Sequence, residues 1–232
     1  MPIIFRKEFR YHFSSMTGFV FLAAFWAASG IYFALAQLAA GNGDIKVFFA
    51  AFAPVLMFVL PLLTMRLYAE ERNMRTEELL LSAPVSISSV ILGKYAAAMA
   101  VFGIGIAPSL TFPVILAGLH AFYLSSVLGC YTGLILIASA YISLGLLVSV
   151  CTESQTAAAA ATYAVFLFMY LISPQGGISG PAGSAAAFFS LTARFAGFSS
   201  GVFKAADVFY YLSASALFIF LSVFVLEDRR LS

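Results

Sequence analysis

The charged residues of this 232-residue chain are gathered at a few places, and the uncharged runs between them constrain the fold more than any other feature. Tyr11–Gly43 runs for 33 residues without Asp, Glu, Lys or Arg, Val47–Met65 for 19, Tyr95–Thr152 for 58, Ser154–Ala193 for 40 and Val208–Leu226 for 19. A helix that crosses a bilayer needs about 20 apolar residues at about 1.5 Å of rise each. As one helix the longest run would be about three bilayer cores long, so it must fold back, near residues 119–123. With 9% charged and 62% hydrophobic residues, a water-soluble domain of this size lacks the polar surface to cover a core; about 25% charge is usual. This excludes a cytosolic enzyme, a disordered chain and a nucleic-acid binder. It leaves an all-α integral membrane protein.

Six transmembrane helices are predicted, near 17–39, 47–66, 94–118, 124–150, 157–174 and 207–226, in one transmembrane domain over residues 1–232. An even number puts both termini on one side. The N-terminus (Arg6, Lys7, Arg10), the loop 66–94 (Arg66, Arg72, Arg75, Lys94) and the tail (Arg229, Arg230) hold nine of the twelve Lys and Arg residues. Lys46, Arg194 and Lys204 fall on the other side, so both termini are expected to be cytoplasmic. The apolar stretch after the basic N-terminus is longer than a signal-peptide core, and a retained first helix is expected.

Residues 1–16 read as an amphipathic interfacial helix. Ile3, Ile4, Phe5, Phe9 and Phe13 are its apolar positions, and Arg6, Lys7 and Arg10 are placed to meet anionic lipid headgroups. The bland reading, a basic flank that only sets topology, is compatible with it. The segment 175–206 forms an outer loop. It opens with a Gly/Pro turn region, and its Ala- and Phe-rich part, 185–203, is expected to form short re-entrant helices that pack against the bundle or line its outer mouth.

The loop 66–94 is the one substantial cytoplasmic feature. Thr76 is a plausible N-cap, Glu77 and Glu78 sit at the positive end of the helix that follows, Leu79 and Leu80 give it an apolar face, and Pro84 stops it. The result is a short helix at 77–82. Ser86 caps the helix that becomes the third span, and Glu71 and Arg75 are spaced as an i,i+4 pair. A helix of under two turns is unstable alone. Its leucines need either a partner surface or the underside of the bundle, and these features alone do not choose.

Chemistry is sparse. Gly93-Lys94 lacks the upstream glycine and the following Ser or Thr of a phosphate loop. Gly177-Ile178-Ser179-Gly180 matches the GxSG of rhomboid-like serine proteases, but the only histidines, His12 and His120, both precede it, whereas in that family the base follows. Cys130 and Cys151 lie about 31 Å apart on one predicted helix, out of disulfide reach. No Cys/His cluster suggests a metal. The central segments of the six spans carry no acid, histidine or lysine, which argues against a proton relay or ion pathway. Pro54, Pro61, Pro108 and Pro113 should bend spans two and three. Gly129 and Gly133 form a GxxxG that lets two helices approach.

Met65-Arg66-Leu67-Tyr68-Ala69-Glu70-Glu71-Arg72, then Thr76-Glu77-Glu78-Leu79-Leu80, then Ala83-Pro84-Val85-Ser86 and Gly93-Lys94-Tyr95 resemble, in order, the AEE-R, G-T-x-E-x-L, P-V-S and G-K motifs of the ABC-2 family of transporter permeases. Arg6-Lys7-Glu8-Phe9 is similar to that family's start. Phe198, Gly201-Val202, Asp207, Tyr210-Tyr211 and Arg229-Arg230 are similar to the end of its gliding-motility-associated subgroup. Two positions depart from the pattern: Arg75 stands where the family has glycine, and Glu78 where it has an apolar residue. The resemblance implies a six-span permease subunit in the inner membrane, an exporter by analogy. It implies pairing with a second, identical or different, permease subunit, contact with membrane lipids, and a drive from separate ABC ATPase subunits. It implies that no cofactor binds this chain directly and that ATP and Mg sit on the ATPase. The helix at 77–82 becomes the coupling helix. Glu70, Glu71, Arg72, Thr76, Glu77, Glu78, Leu79, Leu80 and Pro84 become the ATPase-coupling residues, and Arg6, Lys7, Phe9 and Arg10 those of the interfacial helix. The rival readings are an intramembrane enzyme and a membrane subunit with no transport of its own.

Overall fold

The computed structural model describes residues 2–39, 41, 44–77, 85–118, 124–171, 190–199 and 204–231, and these are helical apart from short turns, with no strand among them. A bilayer leaves a lipid-facing backbone no partner but itself, so a chain of this composition has helices as its simplest solution. In chain order the helices are α1 Pro2–Ser14, α2 Met16–Phe33, α3 Ile45–Thr64, α4 Ala69–Asn73, α5 Ile87–Ile106, α6 Thr111–Ala117, α7 Leu124–Cys151, α8 Gln155–Leu171, α9 Leu191–Ser199 and α10 Ala205–Leu231. A π-helical stretch, Ala34–Ala39, extends α2, and a 3-10 stretch, Ala107–Leu110, joins α5 to α6.

Among the described residues, five helical units are long and apolar enough to cross a membrane: Met16–Ala39, Ile45–Asn73, Ile87–Ala117, Leu124–Cys151 and Ala205–Arg230. The shorter apolar helix Gln155–Leu171 stands where the sequence predicts the fifth span. The starts agree with the predicted ones to a few residues except for the third. It begins at Ile87 rather than 94, with Ser86 at the N-cap position and its hydroxyl bonded to that of Ser89 at 2.7 Å.

The bundle is built around α7, which packs on α3, α5, α8, α9 and α10. Its most apolar window is 78% buried, against 17% for α10 and 28% for α2, whose outer faces carry exposed Phe19, Phe209, Phe220 and Phe224. Hydrocarbon solvates those rings as well as a core would, so burial here reports packing rather than escape from water. The packing is aromatic on the α2–α3–α5 side, where Phe25 meets Phe52 and Phe102 edge-on at 5.4 and 5.8 Å. Hydrogen bonds join the helices elsewhere: Trp26 Nε1 donates to the Gly105 carbonyl at 3.0 Å, and the hydroxyls of Ser139 and Ser215 meet at 2.8 Å.

The proline expectation resolves differently in the two spans. Pro54 and Pro61 lie inside an uninterrupted α3. In the third span the α-helix gives way at Ala107–Leu110, around Pro108. Gly133 of the GxxxG receives a side chain rather than a spanning helix: a Cβ there would lie 2.6 Å from Cβ of Phe198 on α9. This short helix, in the segment predicted to be an outer loop, is seated on α7 and α3 through buried Leu191, Phe195 and Phe198. It is also tied to α10, by Arg194 to Asp207 at 3.0 Å and by Tyr211, whose hydroxyl donates to the Leu191 carbonyl. Cys130 and Cys151 are free thiols on α7.

Candidate functional site

Most of the chain's charge collects at one end of the bundle, where α3 runs out and α5 begins. After Thr64 the chain turns through residues 65–68 and starts α4, a five-residue helix carrying Glu70, Glu71 and Arg72. The first N–H groups of any helix lack partners within it. Here the hydroxyl of Ser149, fully buried on α7, accepts from both the Tyr68 and the Ala69 N–H at 3.0 Å. The corner between the second span and the arm that follows is therefore pinned from the centre of the bundle.

The acidic residues then face inward. Lys94 is 1% exposed, two turns inside α5, and its Nζ lies 3.2 Å from Glu8 Oε1 and 3.0 Å from Glu71 Oε2. One buried cation thus holds carboxylates from α1 and α4. A bare buried ammonium would be costly, and two carboxylates are what make its burial tolerable. Glu70 is buried and accepts from the Tyr11 hydroxyl at 2.7 Å; burial, with that bond, pushes the Tyr11 phenol up to about 12. Arg72 reaches Glu153, in the turn between α7 and α8, at 2.7 Å and Glu77 at 3.8 Å. Glu77 also accepts from the Tyr68 hydroxyl at 3.0 Å and lies 3.6 Å from Arg229 of α10. The cluster links α1, α4, α5, the α7–α8 turn and α10.

Gly93 explains how α1 comes so close. A Cβ at this position would lie 2.8 Å from Cγ2 of Ile4 and 3.4 Å from the Phe5 nitrogen. The glycine admits the backbone of α1 against α5, and that approach sets Glu8 over the neighbouring Lys94. The Gly93-Lys94 pair therefore acts as seat and anchor for the N-terminal helix.

The sequence-predicted residues divide. Glu70, Glu71, Arg72 and Glu77 are brought together. Glu78, Leu79, Leu80 and Pro84, and with them nearly all of the predicted helix at 77–82, lie outside the described residues. So do Ser179 and His120, the turn near 119–123, and residues 175–189. The Thr76 hydroxyl donates to the Glu71 carbonyl at 3.1 Å, and the N–H groups it was expected to cap lie beyond Glu77. The Glu71–Arg75 pair is not formed, because α4 ends at Asn73, Arg75 is exposed and Glu71 has turned to Lys94. On α1, Arg6, Lys7 and Arg10 are exposed and Phe9 packs against the core, although Lys7 also lies 3.7 Å from Glu71. The sequence reading missed Glu8, Tyr11, His12, Lys94, Ser149, Glu153 and Arg229. For two of them a signal existed. At about 100° per residue Glu8 and His12 fall between Ile4 and Phe5, on the face assigned to packing.

Two predictions arise here. Arg75 has φ of 54°, the left-handed region that side chains with a Cβ adopt at a cost. Arg75→Gly is expected to raise stability by about 0.5–1 kcal/mol and Arg75→Val to lower it by about 1 kcal/mol, read from unfolding titrations in detergent. His12 is buried, and desolvation, helped by the nearby Lys94, pushes its imidazole down to about 4 from the usual 6.5. The unfolded chain then binds the extra proton first. Stability from this group is complete above pH 6.5 and drains away as pH falls from 6.5 towards 4. His12→Asn should flatten that part of the stability profile relative to the unsubstituted protein.

A family model described as ABC-2 family transporter protein matches residues 14–225. No curated protein matches the chain.

Proposed function

The chain belongs to the ABC-2 family of transporter proteins, a family of membrane transport components that generally work with an ABC ATPase, and from that premise we propose that it is the permease subunit of an ATP-driven exporter. Two separate ATPase subunits bind ATP and Mg and hydrolyse the nucleotide. This chain pairs with a second permease subunit, the same or different, in the inner membrane. It crosses six times, counting α8 as the fifth span, with both termini cytoplasmic in line with the distribution of Lys and Arg. The terminal motifs favour the gliding-motility-associated subgroup. Spans whose middles carry no charge suit an apolar or amphipathic cargo.

The observation that carries this reading is the wiring of the arm between α3 and α5. Its base is held by Ser149, Lys94, Tyr11 and Arg229, so that a push on the arm reaches α7, α5, α1 and α10 together. In the proposed cycle, ATP closes the ATPase subunits on each other, and a groove on each carries the short helix at 77–82 inward. The second and third spans, continuous with the arm, tilt and shift the dimer between inward-open and outward-open states. Cargo biases that equilibrium only through its different affinity for the two states.

Leu79→Asp with Leu80→Asp tests it. Two apolar anchors at a protein interface are worth about 2 kcal/mol or more each. The double variant should insert normally and lose more than about tenfold of the ATPase recovered on co-purification. A double variant that keeps its ATPase and transports normally overturns the assignment.

A further inference from the structure

Glu77 stands at the start of the expected coupling helix, yet its carboxylate turns back to the bundle. Oε1 accepts from the Tyr68 hydroxyl at 3.0 Å and lies 3.6 Å from Nη1 of Arg229, in the last turn of α10. Both side chains are largely covered, 15% exposed for Glu77 and 28% for Arg229. At its other end α10 holds a second neighbour. Asp207, in the first turn, meets Arg194 of α9 at 3.0 Å, and the Tyr211 hydroxyl donates to the Leu191 carbonyl. The Arg194 guanidinium also lies 4.2 Å from the centre of the Tyr210 ring. An acid in the first turn and a base in the last complement the helix dipole wherever they point. Here each reaches another element.

Asp207 and Arg229 are 22 residues apart, about 33 Å along the axis and slightly more than a bilayer core. The helix between them is suited to carrying a displacement. Ala205–Leu231 contains neither glycine nor proline. The other four units long enough to cross all do: Gly18 and Gly30 in the first, Pro54 and Pro61 in the second, Gly105 and Pro108 in the third, Gly129 and Gly133 in the fourth. Glycine frees the backbone, proline removes a rung of the ladder, and kinks gather at both. The third span shows this by breaking at Ala107–Leu110. Phe209, Leu217, Phe220 and Phe224 of α10 are exposed, so no described helix holds that face in place.

We propose that α10 is a rod linking the arm between α3 and α5 to α9 across the membrane, with Arg229 and Asp207 as the positioning residues at its two ends. A displacement of the arm pulls on Arg229, α10 shifts along α7 as one piece, and Asp207 and Tyr211 carry α9 with it. The part this plays in transport rests on the permease reading. The linkage itself does not, and its test is made on the chain alone.

Contiguous contacts become coupling only when a change at one end is felt at the other. Hydrogen exchange of the full chain in detergent reads this at α9 and, as a control, in the middle of α7. Arg229→Gln is expected to speed exchange in α9 about fivefold, the low end of couplings between distant sites, and to leave the middle of α7 unchanged. Arg229→Lys, which keeps the charge, should exchange like the unsubstituted protein. In an Asp207→Asn background Arg229→Gln should add nothing further at α9, because the link is already cut. Leu217→Gly with Phe220→Gly softens the rod on its exposed face, leaves both ends intact, and should suppress the response of α9 to Arg229→Gln. An α9 indifferent to Arg229→Gln overturns the rod. So does equal acceleration in α9 and the middle of α7, which is a general loss of stability, and so does a full response through the softened helix, since the signal then takes another route. The Arg229 and Asp207 variants alter only the ends of α10 and decide the matter even where the softened helix does not fold.

Discussion

Lys94→Met is expected to destabilise the protein by about 3–5 kcal/mol, the cost of removing one partner from a buried ionic contact and leaving the others charged and dry. The substituted side chain has a similar length and an apolar end, so lost packing contributes little. What is left behind is Glu8, 6% exposed, and Glu71, both facing a site from which their cation has gone. The triple change Lys94→Met, Glu8→Gln and Glu71→Gln should recover most of that loss, because neutral groups of the same volume escape the desolvation penalty. Unfolding titrations of the two variants in detergent check both halves. If the single variant is as stable as the unsubstituted protein, Lys94 is not the buried keystone described here. The triple variant then separates stability from coupling. With α1 and α4 no longer tied through α5, it should keep ATP hydrolysis by the associated ATPase and lose transport.

Lys94 also shows where sequence reading stops. The uncharged runs delimit the spans well, because insertion into hydrocarbon penalises charge wherever it falls and needs no knowledge of neighbours. The same logic reads Lys94 as the last residue of a loop. In the structure the helix begins at Ile87, and the ammonium is tolerated inside it through Glu71 and through Glu8, the latter 86 residues earlier in the chain. Nothing in the local sequence encodes that partnership except the glycine before the lysine, whose role is apparent only once α1 is found against it. Arg75 makes the complementary point. The resemblance marks it as standing in a glycine's place, and its φ of 54° supplies the physical reason for glycine there. The acidic residues 70, 71 and 77 were legible as a cluster because they are close in sequence. The partners that give them direction were not, since they come from three other elements, α1, α5 and α10. A serine near the end of an apolar helix says least of all.

That serine carries the second large effect. Ser149→Val is expected to cost about 2–4 kcal/mol, since it withdraws the acceptor from two buried N–H groups at about 1–3 kcal/mol each and offers neither another partner. The bonds to Tyr68 and Ala69 span 81 and 80 residues, so this is a tertiary contact doing the work of a local cap. Ser149→Thr keeps the oxygen and adds the same bulk as valine at a fully buried site, and it should recover at least half of the loss. The comparison separates the bonds from the packing: equal losses for valine and threonine would mean that crowding, not acceptor removal, is responsible. Hydrogen exchange adds a local readout. In the valine variant the amides of Tyr68 and Ala69 should exchange faster while those in the middle of α7 keep their protection, because the bond lost is at the corner and not in the central helix. A corner loosened in this way lets α4 move without α3. The same variant should therefore weaken the transfer of motion from the arm to the second span even at temperatures where the bundle remains folded.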